Sequence, residues 1–158
     1  ASINDVSLIN IEGSGMIGVI GTASRVFKAL ADANVNVIMI SQASSEHSIC
    51  IVCKEAEAQR ALQSLEQELF EELKTKKIQQ FELINNLEII AVIGENMRGT
   101  PGISGRLFSD LGNRGINILA IAQGSSERNI SFVIQKSDIH HALNTIHKTF
   151  LENQKEKI

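Results

Sequence analysis

A glycine-rich segment is the first stretch of this chain whose residue types and spacing could do chemistry. Residues 13–18 read Gly-Ser-Gly-Met-Ile-Gly, after an apolar run and before a helical pattern. This fits the G-x-G-x-x-G fingerprint of dinucleotide binding. The fingerprint also requires an acidic residue about 20 positions later, whereas residues 41–42 are Ser-Gln. The segment therefore favours a turn that needs positive φ, followed by helix N–H groups that can hold a carboxylate.

Cysteine and histidine spacings are the next candidates. Cys50 and Cys53 have C-x-x-C spacing, but they fall on a predicted strand, where residues three apart face opposite sides. No second cysteine pair is present for a zinc site. His140, His141 and His147 fall on the last predicted helix, and no acidic or histidine partner is placed to converge with them. We expect neither a metal site nor a cofactor in this chain.

Composition narrows the function classes. The formal charge is −3, with six Phe and no Trp or Tyr, so neither a basic nucleic-acid surface nor a base-stacking platform is indicated. No apolar run approaches the ~20 residues of a membrane span, no secretory signal opens the chain, and two cysteines make no disulfide framework. We therefore expect a cytoplasmic protein without a membrane or nucleic-acid partner. No Ser/His/Asp set, P-loop or carboxylate dyad stands out, so we expect no catalytic site here.

The most informative polar pattern is a strand end that occurs twice. The stretches that begin at Gln42 and Gln123 read Gln-Ala-Ser-Ser-Glu and Gln-Gly-Ser-Ser-Glu. Hairpin turn chemistry accounts for the Ser-Ser-Glu part. It accounts less well for the two glutamines, or for Asn36 and Asn117 at the corresponding strand starts. Neutral amides both donate and accept hydrogen bonds, which suits a zwitterion or a hydroxyl held in a half-buried groove.

These stretches belong to an internal repeat, which decides the elements that position them. When the chain is moved by 81 residues it aligns with itself without a gap, and 14 of the 38 positions from Met16 to Cys53 are identical. Each copy predicts a strand, a Gly-rich turn, an amphipathic helix, a hairpin and a closing helix. The predicted fold class is α+β, with an antiparallel sheet and helices on one face.

Element bounds follow from the same patterns. The predicted strands cover residues 6–11, 35–42, 48–54 and 78–84 in the first copy, and 87–93, 116–123 and 129–135 in the second. Asn34 and Gly115 are placed to end the first helix of each copy. Thr100 is placed to cap the corresponding helix start with Pro101 at the first helical position, and residue 137 or 138 caps the last helix. The predicted modules are 1–84 and 85–158, and the second lacks a fourth strand.

The repeated unit resembles the ACT domain, a ferredoxin-like β-α-β-β-α-β module, in its Gly-rich turn and its Asn-[Val/Ile]-x-x-Ile strand. The tandem pair is similar to the regulatory region of aspartate kinases. The phrases at residues 21–27, 40–49, 102–108 and 121–131 are similar to those of threonine-sensitive bifunctional aspartokinase–homoserine dehydrogenases. The resemblance covers roughly residues 5–150. In that family the second unit takes a strand from just before the first, so an exposed sheet edge is implied here.

The resemblance implies an allosteric sensor for an end product of the aspartate pathway, with threonine as the expected effector and feedback inhibition as the outcome. Turn N–H groups would hold the carboxylate, amide side chains the ammonium and hydroxyl, and apolar residues the methyl. The family's turn differs between the copies at Gly15 and Asn96 and at Val19 and Thr100, so the two sites are expected to differ. The implied ligand-binding residues are Gln42, Gln123, Asn36, Asn117, Met16, Gly18, Val19, Met97, Gly99, Thr100 and Ile38.

The resemblance further implies a longer parent protein, with an ATP-dependent aspartate kinase before this region and, in the bifunctional members, a homoserine dehydrogenase after it. Assembly as a homodimer or higher homo-oligomer through ACT domains is implied as well. Alternatives remain open: a lysine sensor, a dimerisation module that binds no ligand, and a fragment of a dinucleotide-dependent enzyme.

Overall fold

The computed structural model describes residues 1–44, 46–94 and 97–152, with only the backbone at 151 and 152. It divides into two compact units. The first module is Asp5–Leu87, and the second module combines Ala1–Asn4 with Glu88–Ile158. The predicted boundary between residues 84 and 85 lies close to the structural one. The assignment of the first four residues to the second module is the difference, and it arises from pairing between residues far apart in the chain.

The first module alternates strands and helices as the repeat predicts. Its elements are β1 (Ser2–Glu12), α1 (Thr22–Asp32), β2 (Met39–Gln42), β3 (Ser48–Lys54), α2 (Glu55–Glu68), α3 (Phe70–Lys74) and β4 (Gln80–Ile93). The strand order is β2-β3-β1-β4, and β3 pairs antiparallel with both β1 and β2. β1 starts, and β4 ends, in residues of the second module.

The core of the first module explains why these elements pack. Alternate residues of β1 and β3 meet the apolar stripes of α1 and α2 in one cluster, as the period of two in strands and 3.6 in helices requires. Each fully buried Leu or Ile contributes about 1.5–3 kcal/mol. The expected α+β class with an antiparallel sheet is confirmed. The cluster includes Ile9, Ile11, Ile49, Ile51, Val26, Leu30, Ala58, Ala61 and Leu65.

The ends of the first helix in each module are as predicted. Asn34 has φ 55° and Gly115 has φ 73°, the left-handed conformation that terminates helices. In the first module the N–H of Val35 then donates to the carbonyl of Leu30 at 2.9 Å. This satisfies a carbonyl in the last turn that would otherwise lack a partner.

The helix starts differ from the prediction. In the second module the first helix, α4 (Ile103–Asn113), has Gly102 at its N-cap in a left-handed conformation, φ 86°, and no side chain caps it. Thr100 and Pro101 therefore lie in the preceding turn, and the predicted cap at Thr100 is wrong. Gly21 plays the same part before α1, with φ 92°. A tight turn that ends in a left-handed glycine excludes a capping side chain, because glycine has none.

The second module repeats the plan with one addition. Its strand order is β4-β6-β5, where β5 (Ala120–Gln123) pairs antiparallel with β6 (Asn129–Gln135). At the other edge of β4, the amino group of Ala1 donates to the carbonyl of Ala91 at 2.9 Å, and the N–H of Ala91 donates back at 2.8 Å. The edge expected to be exposed thus has a short partner. The α-helix that follows β6 is α5 (Ile139–His147).

Other bounds differ in instructive ways. The predicted strands at 78–84 and 87–93 form one continuous strand, β4. The predicted strands at 35–42 and 116–123 are shorter than expected, because only their last four residues form strands. Asp138 precedes α5 but makes no side-chain cap.

A second core centres on Phe132, whose ring meets that of Phe108 edge-on with centroids 5.8 Å apart.

Over the described part of the chain, no helix combines the length and apolar character that a membrane crossing needs.

Two glycines are required where the backbone of the first turn approaches the segment before β4. A Cβ at Gly13 would lie 2.2 Å from the carbonyl oxygen of Lys77 and 2.6 Å from Cα of Ile78. A Cβ at Gly15 would lie 2.4 Å from Cβ of Lys77. Real Cβ atoms do not approach other atoms so closely, so backbone would have to move. The close approach of two backbones is therefore the reason for this Gly-x-Gly spacing.

We expect Gly13→Ala to lower the free energy of unfolding by about 1–3 kcal/mol, because the added methyl group overpacks a backbone contact. Gly112→Ala is the matched control, since a Cβ there meets open space within α4 and should stabilise by up to about 1 kcal/mol. Urea unfolding followed by circular dichroism measures both. Equal midpoints for Gly13→Ala and the unchanged chain would contradict the packing argument.

Candidate functional site

A cavity of about 290 Å³ lies in the first module, between the turn before α1 and the far end of β2. We call it the first cavity. Four residues that the sequence assigned to ligand binding line it, namely Met16, Gly18, Val19 and Gln42. Gln42 is the last residue of β2 and pairs with buried Ile49 on β3, so the strand pairing fixes the position of its backbone beside the cavity.

The second module has a cavity at the matching place, with a volume of about 520 Å³. We call it the second cavity. Met97, Gly99, Thr100 and Gln123 line it, and Gln123 pairs with buried Ile130 as Gln42 does with Ile49. The repeat therefore brings the same four predicted positions together twice, once in each module.

Three predicted site residues are not brought to these cavities. Asn36, Asn117 and Ile38 precede β2 and β5, whereas each cavity lies beyond the strand's other end. The backbone N–H of Asn36 donates to the carboxylate of Glu57 at 3.3 Å. Asn36 therefore lies near the start of α2. Two further residues named in the sequence argument, Ser45 and Asn96, lie outside the described residues.

The turn N–H groups expected to hold a ligand carboxylate have acceptors within the protein. In the first module the N–H of Met16 donates to Gly13 at 3.1 Å and that of Val19 to Met16 at 3.2 Å. The N–H of Gly18 donates to Oε2 of Glu46 at 2.8 Å. The turn closes on itself and on the hairpin, so a ligand carboxylate needs donors elsewhere in the cavity.

Glu46 and Glu127 are the residues that the sequence reasoning missed. Both lie in left-handed conformations, with φ 55° and 54°, and both line their cavities. Glu127 accepts from the N–H of Gly99 at 2.7 Å, as Glu46 accepts from Gly18. The signal is the repeated Ser-Ser-Glu, for which hairpin turn chemistry is one sufficient explanation but not the only one. The recurrence of a carboxylate, rather than any polar residue, pointed to a specific contact.

The start of the helix supplies the donors. The first helical hydrogen bond of α1 runs from the N–H of Arg25 to the carbonyl of Gly21 at 3.0 Å. The N–H groups of the preceding residues, including cavity-lining Thr22 and Ala23, have no acceptor within the helix. No side chain caps this end. Because the helix dipole places partial positive charge there, the site favours an anionic group.

Each cavity thus combines three complementary features. The uncapped helix end attracts a carboxylate, the glutamate attracts a cation, and the strand-end glutamine supplies an amide. Among the described residues that line either cavity, the glutamate is the only ionisable one. An arrangement with one positive end and one negative end matches a zwitterion.

The fingerprint glycines do not offer their N–H groups to a nucleotide. The N–H of Gly13 donates to the carbonyl of His47 at 3.0 Å, and that of Gly15 donates to Lys77 at 3.0 Å. A dinucleotide site needs such groups to reach a pyrophosphate. The dinucleotide hypothesis therefore lacks its donors in this turn.

The cysteines and histidines stay apart from the cavities. Burial raises the pKa of the Cys50 thiol to about 11, and burial followed by the nearby Glu57 raises that of Cys53 to about 11. In the described part of the chain, no group of three or more His, Cys, Asp or Glu is arranged to hold a metal ion. His140 and His141 line a separate surface cavity with Arg114 and Lys148.

The family model described as the ACT domain matches residues 9–69 and again residues 90–150. The chain belongs to the ACT domain family. The match to both copies confirms the predicted tandem pair, with each match covering most of one module.

Individual relatives of this ACT pair are named as bifunctional aspartokinase/homoserine dehydrogenases. The bifunctional aspartokinase/homoserine dehydrogenase 2 of Arabidopsis thaliana, a chloroplastic protein, is 45% identical over 150 residues, which is 95% of this chain and 16% of that protein. The bifunctional enzyme of Haemophilus influenzae is 40% identical over 156 residues, 98% of this chain and 19% of that protein. This chain therefore spans less than a fifth of these relatives.

Among solved structures, the regulatory subunit of aspartate kinase from Thermus thermophilus, in its ligand-free form, superposes with a TM-score of 0.77 at 27% identity, and the match covers 95% of both chains. The similarity therefore extends over almost the whole length of that regulatory subunit.

The raised thiol pKa values make a prediction about reactivity. At pH 8 we expect both cysteines to react with Ellman's reagent about 100-fold more slowly in the folded chain than in urea, because only the thiolate attacks and a rise from 9.0 to about 11 lowers its fraction. Spectrophotometry at 412 nm follows the rate. Equally fast reaction in both states would contradict the raised thiol pKa values.

Proposed function

We propose that this ACT pair is the regulatory region of an aspartate kinase and that it binds threonine as a feedback signal. The observation that carries the proposal is the duplicated cavity, in which a helix N-terminus, a carboxylate and an amide converge. The aspartokinase names of the Arabidopsis and Haemophilus relatives support the proposed link to an aspartate kinase. The kinase, and a homoserine dehydrogenase as in those bifunctional relatives, belong to the proposed parent protein.

A free amino acid fits this arrangement group by group. Its carboxylate takes the N–H groups at the start of α1 or α4, where the helix dipole favours an anion. Its ammonium lies against the carboxylate of Glu46 or Glu127 and the amide oxygen of the strand-end glutamine. Hydrogen bonds to charged groups are the stronger kind, at about 1.5–3 kcal/mol each. A small ligand can bind usefully through a few such contacts.

Charge balance favours threonine over lysine. Each cavity is lined by one carboxylate, which neutralises the single ammonium of threonine. Lysine carries a second ammonium, and the glutamate is the one lining group that could pair with it, in competition with the first. Lysine remains the second candidate because that same carboxylate attracts any cation.

Feedback requires only a modest coupling between the ligand and a distant active site. Coupling free energies of about 1–3 kcal/mol change an affinity or activity 5–150-fold. Assembly as a homodimer or higher oligomer stays a prediction for analytical ultracentrifugation. The cytoplasmic setting also stays a prediction, since the Arabidopsis relative is chloroplastic.

Calorimetric titration of the 158-residue chain with threonine, lysine, methionine and isoleucine tests the proposal. We expect heat with threonine alone. Heat with lysine in place of threonine would keep the sensor and overturn the effector. Silence with all four would favour a module that only assembles subunits.

The strand-end glutamines give a residue-level test. We expect Gln123→Ala to weaken threonine binding roughly 10–100-fold, because the ammonium loses a charged hydrogen bond, and Gln42→Ala to weaken binding of whichever amino acid the first cavity holds. Gln63→Ala is the matched control, since Gln63 is exposed on α2 and does not line that cavity. Unchanged affinity in both cavity variants, with the fold intact by circular dichroism, would refute the site assignment.

A further inference from the structure

We propose that the second module carries a binding site for a small phosphate-bearing anion, in a surface cavity beside α5 and the end of α4. The cavity has a volume of about 270 Å³, and we call it the basic cavity. It is separate from the two cavities assigned to amino-acid binding. Its lining residues are Arg114, His140, His141, Asn144, Thr145 and Lys148.

Two helical segments bring these side chains to one place. The lining residues between 140 and 148 lie at i, i+1, i+4, i+5 and i+8, which is the spacing of one face of a helix. Arg114 follows α4 directly, as its C-cap residue. The hydroxyl of Thr149 donates to the carboxylate of Asp110 on α4. This bond ties the end of α4, with Arg114, to the turn that carries Lys148.

The fixed charges of the basic cavity have one sign. Arg114 and Lys148 are cationic at neutral pH, and no carboxylate is among the described residues that line the cavity. In the first module, by contrast, Arg25 and Lys28 each pair with a carboxylate. A cavity that presents two cations without a counter-charge in its wall attracts an anion.

The donors of the cavity match the oxygens of a phosphate group. The planar guanidinium of Arg114 can donate two parallel hydrogen bonds to phosphate oxygens, and the ammonium of Lys148 acts as a point charge. A neutral histidine ring keeps one N–H, so both histidines can donate as well. The volume of about 270 Å³ is just below the ~300–1,000 Å³ of sites for drug-sized ligands. The size suits a phosphate or diphosphate group better than a complete nucleotide.

The first module shows why this space is open in the second. Across the 81-residue repeat, Arg60 corresponds to His141. The guanidinium of Arg60 donates to the carbonyls of Ala33 and Asn34 at 2.8 and 3.0 Å, so the arginine side chain lies across the end of α1. A histidine side chain is too short to make both bonds. The corresponding space at the end of α4 is therefore left for a ligand.

The charge of the basic cavity is also particular to the second module. The first copy has alanine at the position of Arg114, and it has glutamine at the positions of His140, Asn144 and Lys148. The first module packs α1 against α2 with these neutral residues. The shared fold therefore does not require the basic side chains, whereas an anionic ligand does.

Calorimetric titration of the 158-residue chain with pyrophosphate, in a low-salt buffer free of phosphate, tests the inference. We expect one equivalent to bind. Arg114→Gln and Lys148→Gln should each weaken binding about 10-fold, because each removes a charged hydrogen bond. Arg128→Gln is the matched control, since Arg128 is an exposed residue of the same module that does not line the basic cavity. It should change the affinity by less than about 2-fold.

Inorganic phosphate and ATP, titrated in the same way, distinguish the source of the phosphate group. If ATP binds at least as tightly as pyrophosphate and loses affinity equally in Arg114→Gln, the site takes the end of a nucleotide. If ATP binds more weakly, the site takes a free phosphate or diphosphate. Absence of heat with all three would overturn the inference. An equal loss in Arg128→Gln would overturn it too, because diffuse surface charge would then account for the binding.

The two proposals can fail separately. Among the described residues, the basic cavity shares none with the second cavity. The threonine affinity of the Arg114→Gln chain should therefore equal that of the unchanged chain. Pyrophosphate binding without threonine binding would overturn only the proposed function, and the reverse result would overturn only the anion site.

Discussion

In each module a glutamate carboxylate ties the hairpin turn to the turn before the first helix. Glu46 and Gly18 are 28 residues apart in the chain, and their bond joins two walls of the first cavity. The glutamate adopts a left-handed conformation to make it, which is unfavourable for a residue with a Cβ and persists only where surrounding contacts fix it. Because the bond uses a turn N–H group, the cavity-lining N–H groups without an acceptor in their own helix are those of the helix start, at Thr22 and Ala23.

Duplication has kept this arrangement while allowing the surroundings to differ. Arg25 and Arg106 occupy the same position of the repeat. Arg25 pairs with Glu72 and, at 2.8 Å, with Glu68, whereas the guanidinium of Arg106 lies 5.4 Å from the ring centroid of Phe150. An identical side chain thus serves as an ion-pair partner in one module and in a cation–π contact in the other. Identical residues at the same position of the two copies therefore need not make the same contacts.

The sequence was sufficient to predict elements whose structure depends on local periodicity. It was insufficient to predict contacts between groups that are far apart in the chain. Helix stripes, strand faces and the helix ends at Asn34 and Gly115 followed from spacing alone. The prediction placed separate strands at residues 78–84 and 87–93, which left Asn85 and Asn86 outside both. In the structure the hydroxyl of Ser7 donates to Asn85 at 2.6 Å, and the N–H of Asn86 donates to a carboxylate on α2. Those partners keep the strand continuous.

The candidate site was likewise predictable from sequence only in part. The glutamines and the glycine turn were located because they recur in the repeat, and the repeat also placed them at matching strand ends. The roles assigned to the turn N–H groups could not be checked from sequence, since the N–H groups of Gly18 and Gly99 find their acceptors 28 residues away, in the carboxylates of Glu46 and Glu127.

The pairing of Ala1 with Ala91 has a consequence for the order in which the chain folds. The two residues are 90 positions apart, and closing a loop of that length from an unfolded chain carries a substantial entropic penalty. Folding of Asp5–Leu87 removes most of it, because β1 and β4 are neighbours in the first module's sheet and hold the ends of that segment side by side. The second module can then complete its sheet by a local step. Folding should therefore be sequential, with the first module forming the nucleus on which the second depends.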